Sequence, residues 1–180
     1  MLCLLAGCGA PAADAETVRT HFDVLPQFSA QIKILSDLED SVLEYELDYV
    51  YNREDADTFT ITAPASLTGV SGTIAGTDSG TFTLQYDGMV LDDAMPQRTG
   101  LTPADALFCL LSDLRSAAPV QQWTEQGDDL LVLRYETDGE DGKIAKQVWL
   151  TANGCQPVYA ELYASGERVL TIEVLSYSET

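Results

Sequence analysis

The chain has 180 residues, the size of one domain, and at 46% apolar and 21% charged it can bury a core, which excludes wholesale disorder. Nine Lys and Arg against 29 Asp and Glu leave a net charge of −20. That excess argues against nucleic acid as a partner and against electrostatic docking on anionic lipid, because both depend on clustered cations.

The chain begins Met1-Leu2-Cys3-Leu4-Leu5-Ala6-Gly7-Cys8. Leu5-Ala6-Gly7-Cys8 has the form of a bacterial lipobox, an apolar run followed by small residues that fit a peptidase cleft. Residues 1–7 read as a truncated lipoprotein signal peptide, and Cys8 as the lipidation site and first residue of the mature chain. A short Ala/Pro/Asp tether follows, with a weak helix over about 14–22. The expected organisation is therefore tether and short helix over 8–22 and one folded domain over 23–180. No later run reaches the ~18 apolar residues of a spanning helix, so attachment to the membrane is expected through lipid alone. His21, the lone histidine, is expected to be exposed beside the tether.

From there the pattern has period two. Strands are predicted over Phe28–Leu35, Val42–Tyr51, Thr58–Thr62, Val70–Ala75 and Thr81–Tyr86. In the second, Leu43, Tyr45, Leu47, Tyr49 and Tyr51 alternate with Glu44, Glu46 and Asp48, one apolar face against one carboxylate face. One segment then breaks the period. Thr102 as N-cap and Pro103 at the first helical position open a helix whose Leu107, Phe108, Leu110, Leu111 and Leu114 recur at helical spacing to about Ser116. Four more strands follow: Leu130–Tyr135, Ile144–Leu150, Val158–Ala164 and Val169–Tyr177. Asp87-Gly88, Gly139-Glu140-Asp141-Gly142, Asn153-Gly154 and Ser165-Gly166 supply hairpin turns. The fold class is thus mainly β: a curved antiparallel sheet of nine to eleven strands, covered by one main amphipathic helix and a minor N-terminal one.

No catalytic constellation is legible. Glu44, Glu46 and Asp48 read as a solvated outer face, and the strands aim no acid inward. Glu54-Asp55-Ala56-Asp57 and Asp138-Gly139-Glu140-Asp141 lack calcium-loop spacing and read as acidic hairpin turns. There is no G-x-S-x-G, no P-loop and no cysteine–histidine spacing for zinc, so no enzyme, metal or cofactor is expected. Gly69-Val70-Ser71-Gly72 reads as relief at a strand edge. Cys109 and Cys155 are expected as separate buried thiols rather than a disulfide. What remains is shape. The apolar inner face is either filled by the helix or left as a cleft for an acyl chain or a partner's apolar segment.

In order along the chain stand Leu47-Asp48-Tyr49-Val50-Tyr51, Ile61-Thr62-Ala63-Pro64-Ala65-Ser66-Leu67, Leu84-Gln85-Tyr86-Asp87-Gly88, Leu101-Thr102-Pro103-Ala104-Asp105, Gln156-Pro157-Val158-Tyr159 and Val169-Leu170-Thr171-Ile172. With the lipobox ahead of them, these resemble the LolA-like superfamily lipoproteins of Gram-positive bacteria, including GerS-like germination and sporulation lipoproteins. The resemblance implies an unclosed half-barrel with helices in its mouth. It also implies a lipid-anchored protein on the extracytoplasmic face of the cell membrane, acting without catalysis. Such a protein would bind or regulate an envelope or spore-cortex protein, or alternatively carry an acyl chain in the hollow.

Overall fold

The computed structural model describes residues 13–38, 41–76, 81–92, 100–125, 127, 129–139 and 142–180. Helix α1 (Ala15–Val24) precedes strands β1 (Gln27–Leu38), β2 (Ser41–Asn52), β3 (Ala56–Ala63), β4 (Ser71–Ala75), β5 (Thr81–Tyr86) and β6 (Met89–Leu91). Helix α2 (Ala106–Ser116) follows, then β7 (Gln121–Glu125), β8 (Leu130–Gly139), β9 (Gly142–Thr151), β10 (Pro157–Ala164) and β11 (Glu167–Glu179). Their bounds enclose eight of the nine strands expected from the period-two runs, with small extensions at the ends, and β4 starts at Ser71, one residue later than expected. The acidic turn at Glu140-Asp141 lies outside the described residues.

All eleven strands form one antiparallel sheet, ordered β6-β5-β4-β3-β2-β1-β11-β10-β9-β8-β7 and not closed into a barrel. The chain walks outward from the centre to β6, returns through α2 to the far edge at β7, and walks back until β11 pairs with β1. Tight turns make the meander possible. Asp87 and Gly88 both hold positive φ in the β5–β6 hairpin, and Ser165 and Gly166 do so between β10 and β11.

The two strands that period-two reading did not find, β6 and β7, are the two edges. Strand β6 is three residues long with every side chain exposed, and β7 is Gln-Gln-Trp-Thr-Glu with four of five exposed. Neither buries one face and wets the other, so neither writes alternation into the sequence.

Alternate residues of the sheet build the core. Phe28, Ile32 and Ile34 of β1, Leu47 and Tyr49 of β2, and Leu170 and Ile172 of β11 are buried on the inner face. Helix α2 lies over them with seven of its eleven residues buried, Leu110 and Leu114 completely. Helix α1 adds Val18 and Phe22 to the same core, and Asp14 caps it by accepting from the Thr17 N–H at 2.8 Å. Gly72 serves packing here rather than relief at an edge. It sits opposite Phe59, and a Cβ at that position would collide with the Phe59 ring.

The start of α2 differs from expectation. The helix begins at Ala106 with Asp105 at the N-cap, and Thr102 and Pro103 lie in the turn before it. The Asp105 carboxylate turns backward instead of capping. It accepts from the Gly100 N–H at 2.6 Å, the Thr102 N–H at 3.1 Å and the Thr102 hydroxyl at 2.6 Å. Those bonds satisfy the loop's amides, which a helix from Pro103 would have left to water.

A buried ion pair fastens α2 to the sheet. Lys146 of β9 faces inward, in phase with Val148 and Leu150, and its Nζ lies 2.6 Å from Asp113 Oδ2. The same ammonium donates to the Cys109 carbonyl at 3.4 Å. Both side chains are nearly buried, so removing one strands the other without water. Asp113→Ala should lower the unfolding free energy by about 3–5 kcal/mol, whereas replacing both partners together, Asp113→Leu with Lys146→Met, should cost little or stabilise. Urea denaturation of both variants checks this, and a loss below about 1 kcal/mol for Asp113→Ala would place the pair among solvent-screened ones.

Candidate binding surface

The residues singled out by sequence divide into three groups. Cys8 lies outside the described residues. Glu44, Glu46 and Asp48 stand on the outer face as alternation requires, where Lys33 meets Glu44 at 2.8 Å and Gln31 donates to Asp48 at 3.1 Å. Cys109 and Cys155 are both free and buried. Burial, reinforced by neighbouring Asp105, pushes the Cys109 thiol up to about 12, which keeps it protonated and poorly nucleophilic.

Two expectations need correction. His21 is not an exposed tether residue. Its ring packs edge-on to Phe22 at 5.1 Å, and its Nε2 lies 3.1 Å from Glu179 at the end of β11. Asp57 does not belong to an exposed acidic turn. It is the second residue of β3, in phase with Phe59 and Ile61, so its side chain points inward and is only 4% exposed. The strands therefore do aim one acid into the core, and Lys146 adds a base. In each case the signal was available: a charged residue in register with an apolar stripe.

These inward polar groups are consumed by joints. The Tyr49 hydroxyl donates to Asp57 Oδ2 at 2.5 Å, and the Asn52 N–H donates to Oδ1 at 3.0 Å. Together they close the β2–β3 hairpin from inside. Burial raises the Asp57 pKa against the opposing pull of those two donors and of Arg115. It raises Asp105 in the same way. A small cleft of about 100 Å³ opens beside this joint, lined by Tyr51, Asp55, Asp57, Phe108 and Arg115. A shallower one of about 350 Å³ lies at the start of α1, between Asp14, Glu16, Arg19 and the Ala117–Pro119 turn. Among the described residues no three His, Cys, Asp or Glu side chains gather to hold a metal ion. Nor is any described helix long and apolar enough to cross a membrane.

The clearest unfilled apolar surface is at the β5–β6 end. The inner-face row that starts with Tyr49 and Phe59 continues through Gly72 and Leu84 to Leu91. One step along, Tyr86 pairs with Met89. Phe82 is buried, but Tyr86 is 46%, Met89 67% and Leu91 61% exposed, and Val90 on the opposite face is 58% exposed. The apolar face of the sheet thus outruns its cover. Exposed apolar side chains grouped at one end of a sheet are the kind of surface on which partners or ligands dock in other proteins.

No protein-family model matches the chain, and no curated protein sequence matches it. Solved structures do. A domain named for outer membrane lipoprotein sorting, from Vibrio parahaemolyticus, is similar with a TM-score of 0.54 at 12% identity, over 92% of this chain and 91% of that one. A DUF1329 family protein from Desulfovibrio piger gives 0.56 at 9% identity, over 92% and 90%. The complex of the CwlD amidase from Clostridioides difficile with the GerS lipoprotein gives 0.46 at 14% identity, over 92% and 93%, a score too low to argue from. At these identities the likeness speaks for fold alone. The fold is the LolA-like half-barrel, an antiparallel sheet left unclosed with helices on its inner face.

The buried acids fix the sign of one pH effect. A carboxyl whose pKa is higher in the fold than in the unfolded chain costs stability when ionised. Stability falls as pH rises from the unfolded value of about 4 through the folded one. Asp57 and Asp105 act in this direction together. Asp57→Asn should therefore flatten the dependence of unfolding free energy on pH between about 4 and 7, though not abolish it. Chemical denaturation across that range reads the slope, and an unchanged slope would show that Asp57 titrates normally.

Proposed function

We propose that the chain is the extracytoplasmic domain of a lipoprotein, anchored to the cell membrane through Cys8, that works as a non-catalytic binding module for an envelope or spore-cortex protein, in the manner of GerS-like lipoproteins. The observation that carries this reading is the contrast on the inner face. Helices α1 and α2 pack it with buried side chains over the middle of the sheet, while the β5–β6 end stays apolar and exposed. The buried carboxylates and lysine hold loops and helices in place and are not gathered around a substrate-sized polar cavity.

A second reading, an acyl chain held against the inner face, is favoured by one specific observation. Tyr86, Met89 and Leu91 continue the apolar inner rows beyond the helices. The name of the Vibrio domain points the same way.

Native mass spectrometry of the chain without residues 1–8, purified gently from a lipid-containing host, separates the two. The expected result is the bare protein mass, with no uptake of added fatty acid or lipopeptide. A co-purifying acyl chain that is lost on Met89→Lys with Leu91→Lys would decide for the second reading. The anchor is tested separately. Metabolic labelling with an alkyne fatty acid should mark the natural lipoprotein and not Cys8→Ala, which should leave the membrane fraction.

A further inference from the structure

The two edges of the sheet are finished differently. At the β7 edge, Gln122 accepts from the Ala15 N–H at 3.2 Å, which ties the strand to the start of α1. Trp149 of β9 donates to Glu125 at 2.9 Å, and Val132 is wholly buried in the cross-strand row between Trp123 and Trp149. That edge carries polar side chains and is stapled across three strands. Strand β6 has none of this. It is Met-Val-Leu, it pairs with β5 alone, and no described strand lies on its other side. Natural edge strands are usually blunted by lysine, proline or a covering element. Met89–Leu91 contains neither residue.

Charge narrows what can sit there. Between Arg53 and Arg98 the sequence holds no lysine or arginine at all. Glu54, Asp55, Asp57, Asp87 and Asp92 lie along the described part of that stretch, and Asp87 and Asp92 bracket β6 directly. Asp87 and Asp92 thus frame the apolar edge with negative charge that no described lysine or arginine pairs, Asp92 accepting only from the Thr83 hydroxyl at 3.3 Å among the described residues. A second copy of this chain would bring −20 against −20 and another Asp87 and Asp92 to the same place. An anionic membrane surface is repelled likewise.

We infer that the β6 edge is a strand-addition site for an extended segment of a protein partner that carries apolar side chains flanked by lysine or arginine. This rests on the reading of the chain as a partner-binding module and names its site and the chemistry of its partner. Backbone amides of the incoming strand pair with the free side of Met89–Leu91. Apolar side chains on one face meet Met89, Leu91 and Tyr86, and those on the other meet Val90. The flanking cations meet Asp87 and Asp92 and set the orientation of docking.

The probe is a short labelled peptide with a run of valines flanked at both ends by lysines, titrated into the full chain and followed by fluorescence anisotropy. Its counterpart has glutamate in place of lysine. The valine–lysine peptide should bind, lose affinity as salt is raised, and lose about tenfold or more on the double substitution Met89→Lys and Leu91→Lys. Val90→Pro should weaken it through the backbone, with circular dichroism verifying that each variant stays folded. Gln122→Lys at the opposite edge should leave binding unchanged. No binding, equal binding of the glutamate peptide, or indifference to the β6 substitutions overturns the inference, as does a fatty acid that occupies this edge while the peptide does not. A photocrosslinker placed in turn at positions 90 and 123 in envelope-bearing cells separates this failure from that of the wider reading. Adducts at 90 that the peptide suppresses support the β6 site. Adducts confined to 123 overturn it and leave the binding-module reading standing, and none at either position sinks both.

Discussion

An eleven-stranded sheet with one apolar face cannot leave that face in water, and the rest of this molecule follows from how it is covered. The two helices contribute 10 and 11 residues, little cover for so wide a sheet. Helix α2 is the crossover between the two outermost strands, so the chain must return across the sheet at that point in any case. Making the return an apolar helix joins the two meanders and shields their common core in one element. This explains why α2 buries seven of eleven residues instead of a narrow stripe, and why cover runs short at the β5–β6 end.

The polar groups inside the fold answer the same constraint. A helix with so broad an apolar face has few ways to choose its rotation and register on an apolar surface. The Lys146–Asp113 pair, the reach of Arg115 to the Tyr51 hydroxyl at 3.4 Å and the Asp105 loop clamp give α2 three separate fixed points. Each costs desolvation that burial of Leu110 and Leu114 offsets. The large negative charge stays mostly on the outer face and in the turns, where water screens it.

How much of this could be read from the sequence depends on burial. Interior strands are wet on one face and dry on the other, and β2 displays this so plainly that its ten-residue core was legible with both faces assigned. Edges have no dry face, which is why β6 and β7 left no alternation, and β6 is the strand on which the binding proposal rests. The end of α2 was legible because Pro119 stops it. Its start was misplaced because Thr102, Pro103 and Asp105 suit a helix opening and a capped turn equally well, and tertiary packing chose the turn. Asp57 and Lys146 were legible in principle through their phase with Phe59 and Val148. A charge in an apolar register is easily assigned to the nearest turn, as Asp57 was.

The strand order also bears on how the molecule is made. The ladder between β1 and β11 joins Phe28 to Glu179, nearly the full length of the described chain, and sits at the centre of the sheet. Every other ladder is a hairpin between consecutive strands, so each half can assemble locally as it emerges. The central seam must wait for the last strand. Until β11 arrives, β1 is itself a bare edge, with Phe28, Ile32 and Ile34 unshielded on that side. A chain that emerges amino end first stands, until its last residues follow, with its keystone missing. For those moments nothing in the sheet itself keeps like halves from pairing with one another.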